Sequence, residues 1–259
     1  MHRELSTISW EVHGAVGTLW LDRPEHLNGM TNTRARECYE TLSRIADDPS
    51  VAVVILTGRG RAFCPGADLK HYSAQGADEP LRPEYFHVPV LLHEMPQVTI
   101  AAINGACAGA GLGYALGCDL RYAARGARLN TALLDVAVAG DMGVPWTLPR
   151  IVGAGRAREL SLLPRKLEAD EAASIGMVND VFEPEALLPE TMRRAERIAA
   201  TSPTARRTMK AHYVAAERIG FAEFVDIETA AHMRISASAD TREAFRAFVE
   251  KRPPRFSGD

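Results

Sequence analysis

Two short turns built from small residues constrain this chain more than anything else in it. The first, Ala62-Phe63-Cys64-Pro65-Gly66-Ala67-Asp68-Leu69, follows the apolar run Val51 to Leu56. The second, Ala102-Ile103-Asn104-Gly105 with Ala108-Gly109-Ala110-Gly111-Leu112-Gly113, closes the run Val98 to Ile103. Small residues let the backbone approach a ligand closely, and the second turn opens a helix. Two such turns can aim two backbone N–H groups at one carbonyl oxygen, a device worth roughly 10²–10³ in rate per donor. The same residues also suit plain strand-to-helix turns, and only their pairing points to a polarised carbonyl.

The rest of the chain alternates strands and helices, which implies a layered α/β core. Thr7 to Val12 and Val16 to Leu21 read as a hairpin around His13-Gly14-Ala15. Thr31 is placed to cap a helix running to Asp47, with Ala35, Cys38, Leu42 and Ile45 at helical spacing. Val51 to Thr57, Val98 to Asn104 and Asp119 to Ala123 read as strands, and Leu112 to Cys118 as helix. Ser73 to Pro83, rich in Gly, Pro and charge, reads as a mobile loop. Beyond Gly153 the pattern is helical, with longer helices expected at 184–200, 203–220, 221–236 and 241–251. A division into a core over 1–195 and a helical region over 196–259 is expected.

Five signatures in order resemble the crotonase superfamily, the enoyl-CoA hydratases, isomerases and their relatives. Besides the two turns they are Leu21-Asp22-Arg23-Pro24-Glu25-His26-Leu27-Asn28, Leu148-Pro149-Arg150-Ile151-Val152-Gly153 with Gly176-Met177-Val178-Asn179, and Lys251-Arg252-Pro253-Pro254-Arg255-Phe256. The resemblance implies a spiral of ββα units with C-terminal helices that trimerise, as a homotrimer or hexamer. It implies an acyl-CoA thioester as substrate, coenzyme A being part of that substrate rather than a separate cofactor. The Ala67 and Ala110 amides become the oxyanion hole. Glu25, His26 and Leu27 match the first CoA turn, and Pro65, Ala67, Asp68 and Leu69 the adenine and pantetheine contacts. Gly109, Leu133 and Trp146 join the acyl side, Trp146 either there or in the core. Lys251 and Arg252 suit CoA phosphates or a solvated basic tail.

The departures from that family carry the most information. Its hydratases hold water with two glutamates, at positions occupied here by Gly113 and Leu133. Neither residue titrates, and no Glu lies between Gly105 and Leu134. Proton transfer needs a titrating group within hydrogen-bond reach, so the two-glutamate mechanism has no carrier. Asp141, in Ala139-Gly140-Asp141-Met142-Gly143, matches the working aspartate of several isomerases and of an aryl-CoA dehalogenase. Its neighbours are apolar, and desolvation there raises a carboxyl toward a useful base. Asp141 is also placed to cap a helix starting at Met142, the second role it could take. Asp135, His87, His93 and Asp119 are weaker candidates that read as turn, surface or structural residues.

The leading expectation is an acyl-CoA isomerase or related lyase with Asp141 shuttling the proton. Alternatives are a hydratase using Asp141 alone, a thioester hydrolase or dehalogenase with Asp141 as nucleophile, and a non-catalytic CoA-binding scaffold. With 30 basic and 33 acidic residues, the net charge of −3 gives no pull toward nucleic acid or membrane. Cys38, Cys64, Cys107 and Cys118 lack metal-ligand spacing, so no metal and a reduced environment are expected. The polar opening Met1-His2-Arg3-Glu4 and the lack of a long apolar run complete the expectation of a cytoplasmic protein.

Overall fold

A computed structural model describes residues 5–259, so Met1 to Glu4 lie outside the described residues. The expected hairpin forms: β1 (Ile8–His13) and β2 (Val16–Leu21) pair antiparallel, His13 opposite Val16. A short 3-10 turn (Pro24–His26) leads to α1 (Asn32–Ala46), and Thr31 caps it as predicted, its hydroxyl accepting from the Arg34 amide. Then β3 (Val53–Gly58), β4 (Ala62–Cys64) and α2 (Leu69–Gln75) form one ββα turn. After α3 (Val88–Glu94), a second turn is built by β5 (Val98–Ile103), β6 (Ala106–Ala108) and α4 (Ala110–Gly117). A third begins with β7 (Leu120–Ala124) and β8 (Arg128–Asn130), and continues through α5 (Val144–Val152) and α6 (Ala154–Leu162). The chain then runs through β9 (Leu167–Glu168), α7 (Ala169–Ser174) and β10 (Asp180–Phe182). Four longer helices end it: α8 (Pro184–Ala199), α9 (Pro203–Ala216), α10 (Phe221–Ser236) and α11 (Ala239–Val249).

Each ββα turn gives one strand to a six-stranded sheet, ordered β1-β2-β3-β5-β7-β10, and one to a smaller sheet, ordered β4-β6-β8-β9. Among the described residues, only β1–β2 and β8–β9 are antiparallel. This is the spiral that the resemblance implied. β3 is buried along its whole length, which is why its sequence is an unbroken apolar run rather than an alternating one. α8 crosses the large sheet against β2, β3, β5, β7 and β10. The expected division at 195/196 falls inside α8, and the helices beyond it begin at Pro203. α9 is anchored by Lys210, whose buried ammonium donates to Leu92 O (3.0 Å) and Gln97 O (2.8 Å) and pairs with Asp119 (2.8 Å). Asp119 also accepts from the Thr99 amide, the structural role expected of it.

The segment 73–83 differs from its expectation. α2 extends through Gln75, and beyond it Asp78 accepts from the Asn32 amide at 3.0 Å and the Thr33 amide at 3.1 Å. With Thr31, that satisfies the first three otherwise orphaned N–H groups of α1. Glu79 adds an ion pair with Arg36 (2.8 Å). The Gly- and Pro-rich composition marked irregular backbone correctly, but not the carboxylate that fastens it. All four cysteines are free and buried.

Candidate active site

The small sheet brings the two signature turns side by side. β4 and β6 pair in parallel, Ala62 opposite Ala106 and Cys64 opposite Cys107, at the strand spacing of roughly 4.8 Å. Gly66 and Gly109 adopt positive φ (101° and 50°), and a Cβ at Gly109 would sit 3.6 Å from Gly66 Cα. Ala67 follows directly and bridges Met30: the Met30 amide donates to Gly66 O (2.8 Å) and the Asp68 amide to Met30 O (2.9 Å). In that pattern the flanking residues make the bonds, and the N–H of Ala67 itself points elsewhere. Ala110 is the first residue of α4, whose N-cap, Gly109, offers no side chain. Neither amide donates a hydrogen bond to another described residue. Two unspent donors thus lie in adjacent turns.

The Leu21–Asn28 turn is tied to the first of these. Leu27 and Asn28 both take left-handed φ (53° and 59°) behind Glu25 and His26, which are exposed. Asn28 is fully buried, and its amide donates to Arg59 O (2.9 Å) and Ala62 O (2.7 Å). Arg23 meets Asp68 at 3.1 Å, and His26 lies 3.8 Å from the same carboxylate oxygen. Burial raises the Asp68 carboxyl, but the His71 amide and Arg23 outweigh it and hold the group below its ordinary value. Asp68 also caps α2 by accepting from His71 N, so one anion orders both turns. Pro65 is half-buried between them, and Leu69 is exposed.

Asp141 is not a helix cap. α5 begins at Val144 with Gly143 as N-cap, and only the Asp141 carbonyl takes part, accepting from Val144 N at 3.0 Å. The carboxyl is half-buried, and desolvation raises its pKa against an opposing pull from the Met142 amide. It acts through space on Cys64, Tyr72 and Tyr114, residues of β4, α2 and α4 that surround the two turns. The 141–143 turn therefore lies against α4, the helix that Ala110 opens. Met142 and Gly143 both have positive φ (44° and 73°), so the aspartate sits on a sharply bent turn. Backbone strain of this kind in a non-glycine residue costs about 1–3 kcal/mol and needs support from its surroundings.

That support is Gly113. A Cβ at this position would fall 2.6 Å from Met142 O and closer still to Met142 Cβ. The space that a glutamate would need is filled by the turn carrying Asp141. Leu133 is buried, with Cδ2 4.0 Å from where a Cβ of Gly109 would lie. Position 113 is thus closed by the backbone of the 142 turn, and position 133 holds a buried leucine.

Other candidates lie elsewhere. Trp146 is 43% exposed and carries Arg150 over its ring at 3.8 Å, with His93 edge-on at 5.6 Å. His93 also meets Glu217, the residue that ends α9, at 2.8 Å. His87 is exposed at the end of a 3-10 turn, and Asp135 is exposed in another, Leu134–Val136, rather than ending a strand. Arg252 is spent on Glu243 and Glu250 (both 2.6 Å). Among the described residues no three His, Cys, Asp or Glu side chains gather as a metal site. Two residues passed over in the sequence, Tyr72 and Asn32, are joined by a 2.8 Å hydrogen bond between α2 and α1.

A two-sheet ββα spiral with paired small-residue turns on adjacent strands of the small sheet defines a crotonase-fold protein. The chain belongs to the enoyl-CoA hydratase/isomerase family, whose model matches residues 11–259. It is 35% identical over 254 residues to the 1,2-epoxyphenylacetyl-CoA isomerase of Escherichia coli (strain K12), covering 95% of this chain and 97% of that one. It is 33% identical over 247 residues to the crotonyl-CoA hydratase of Syntrophomonas wolfei subsp. wolfei, covering 93% and 94%. Among solved structures, an enoyl-CoA hydratase from Bacillus anthracis superposes with a TM-score of 0.90 at 30% identity, covering 98% of this chain and 100% of that one. No helix among the described residues is long and apolar enough to cross a membrane.

Proposed function

We propose that the protein is an acyl-CoA isomerase in which Asp141 moves a proton along the acyl chain. The thioester oxygen sits between the Ala67 and Ala110 amides, and the CoA handle lies along Glu25, His26, Leu27, Pro65, Asp68 and Leu69. With a 3-enoyl thioester, the Asp141 carboxylate takes a proton from C2. The C2–H electrons become a dienolate whose charge rests on the thioester oxygen. Asp141 then returns the proton to C4, leaving the double bond between C2 and C3. No water is added, and no cofactor beyond the CoA of the substrate is needed. This reading is supported by the Met142 turn that fills the space over Gly113 and so brings the loop of Asp141, a desolvated carboxyl, against α4, and by the two unspent amides of Ala67 and Ala110.

The same residues argue against hydration by a carboxylate pair, since positions 113 and 133 hold none. The C-terminal helices leave Phe221, Met233, Phe245, Phe248 and Val249 largely exposed, which favours a homotrimer or a hexamer. The test uses 2-enoyl, 3-enoyl, dienoyl and aryl CoA thioesters in deuterated water, read by mass spectrometry beside Asp141→Ala. Double-bond movement or deuterium uptake without added water mass, lost in the variant, supports the isomerase. Gain of one water on 2-enoyl-CoA would replace it with a hydratase. Binding without turnover, unaffected by the substitution, would point to a scaffold.

A further inference from the structure

Arg34 lies inside α1 and is fully buried. Its Nη1 donates to Asn28 O, its Nη2 donates to Thr7 O at 3.0 Å, and its Nε is buried without a partner. Among the described residues no carboxylate stands within ion-pair distance of it, and the groups that act on it most strongly are Cys64, Cys38, Arg23 and Tyr114. Burial pulls the guanidinium below its ordinary pKa, yet an arginine keeps its charge in such a place. As a device for stability alone, a buried cation with an orphaned N–H and no counter-ion is a poor choice.

What Arg34 holds is the strip that grips the first signature turn. Asn28 opens the segment Asn28-Gly29-Met30, and Met30 bridges Ala67. The Met30 amide donates to Gly66 O at 2.8 Å, and the Asp68 amide returns to Met30 O at 2.9 Å. The Cys64 thiol brings a second donor to Gly66 O, 3.8 Å away. Gly66 C=O and Ala67 N–H are the two ends of one planar peptide group. Donors on that oxygen therefore draw electrons from the Ala67 N–H and make it the better donor. Two residues of chain and one ladder step separate Asn28 from Ala67, so the guanidinium stands on the order of 10 Å from an oxygen held by the Ala67 amide.

We infer that Arg34 is a positioning residue for the enolate: it holds the Met30 strip against the Ala67 peptide, and its unopposed charge favours the anionic thioester over the neutral one. This rests on the oxyanion-hole part of the reading above and assigns a residue behind it. At about 10 Å and an effective dielectric of about 20, one unopposed charge favours an anion roughly tenfold. A saturated thioester carries no charge on its carbonyl oxygen, so its binding gains little from Arg34. The effect therefore falls on ionisation and turnover and spares ground-state binding.

The test is ultraviolet titration of the full chain with acetoacetyl-CoA, a thioester acidic enough to be seen as its enolate, beside calorimetric titration with hexanoyl-CoA. Arg34→Gln keeps a donor for Asn28 O without the charge, and Arg34→Lys keeps both. In the glutamine variant the ratio of bound enolate to neutral thioester should fall about tenfold, with hexanoyl-CoA binding unchanged. The lysine variant should recover most of that ratio, and kcat on 3-enoyl-CoA should follow the same order with KM held. A glutamine variant that matches the unaltered protein overturns the inference and leaves the oxyanion hole standing, as does a lysine variant that falls as far as the glutamine one. Arg34→Met, an apolar side chain of similar reach, repeats the comparison if the glutamine variant misfolds. An unaltered protein that binds acetoacetyl-CoA without raising its enolate ratio above that in solution overturns both the inference and the oxyanion hole. Enolate formation that depends on Arg34, without turnover of the enoyl panel, leaves Arg34 standing and sinks the isomerase.

Discussion

Gly113→Ala separates helix propensity from site geometry, because the two predict opposite signs. Gly113 lies inside α4, where alanine should stabilise a helix by about 1 kcal/mol on propensity alone. The structure predicts a loss. The new Cβ would start 2.6 Å from Met142 O and 3.1 Å from Met142 C. Comfortable contact requires the Met142 turn to retreat by about 1 Å. Overpacking of that kind costs about 1–3 kcal/mol, which in a chain of this size lowers Tm by several degrees at roughly 2–4 °C per kcal/mol. Asp141 is bonded to Met142 and must move with it, and a misplacement of about 1 Å costs on the order of 10²-fold in turnover. Calorimetric melting and single-turnover isomerisation, run on the same preparation, measure both effects. An alanine variant that melts higher than the parent and retains its turnover would refute the reasoning, since Met142 would then not depend on the empty position. Gly113→Glu should be worse still and should not install water addition.

Asp141→Asn should lower turnover by about 10²–10⁴-fold while raising the melting temperature at neutral pH. Burial places the folded pKa of this carboxyl above its unfolded value, so charging it weakens the fold as pH climbs from the unfolded value through the folded one. The stability gain of the asparagine variant should vanish below about pH 4, near the ordinary carboxylate value; a gain that persists in acid would show another cause. Asp78→Ala should free two N–H groups of α1, cost about 0.5–2 kcal/mol, and speed hydrogen exchange across 76–82. The Asp78 carboxyl is raised by burial but lowered further by Thr33, so its net value lies below the ordinary one. That contribution is present at neutral pH and is lost as pH falls through the folded value; unchanged exchange in the variant would remove the clamp from this account.

The strands and helices were legible because their signals are local. The hairpin, the Thr31 cap and the buried run of β3 need only neighbouring residues to be read. The spiral was not, since nothing local says that β4 joins β6 rather than β3. Gly113 shows where a sequence argument stops. Its identity marked a missing glutamate, but the reason lies with Met142, 29 residues on (142 − 113). Asp141 also read as a cap, and the start of α5 at Val144 removed that role. Tyr72 and Asn32 lie 40 residues apart and carry no pattern, so their pairing required coordinates.

The pairing of β4 with β6 has a consequence for how such a protein can change. The distance between the two turns is set by main-chain ladder geometry, which point substitutions barely touch. The carboxylate, by contrast, sits in the irregular stretch between β8 and α5, where the backbone follows whatever side chains surround it. One part of the molecule is a fixed ruler and the other an exchangeable tool. Lineages sharing the ruler can therefore acquire new reactions by rewriting about a dozen residues, while the two turns keep their spacing.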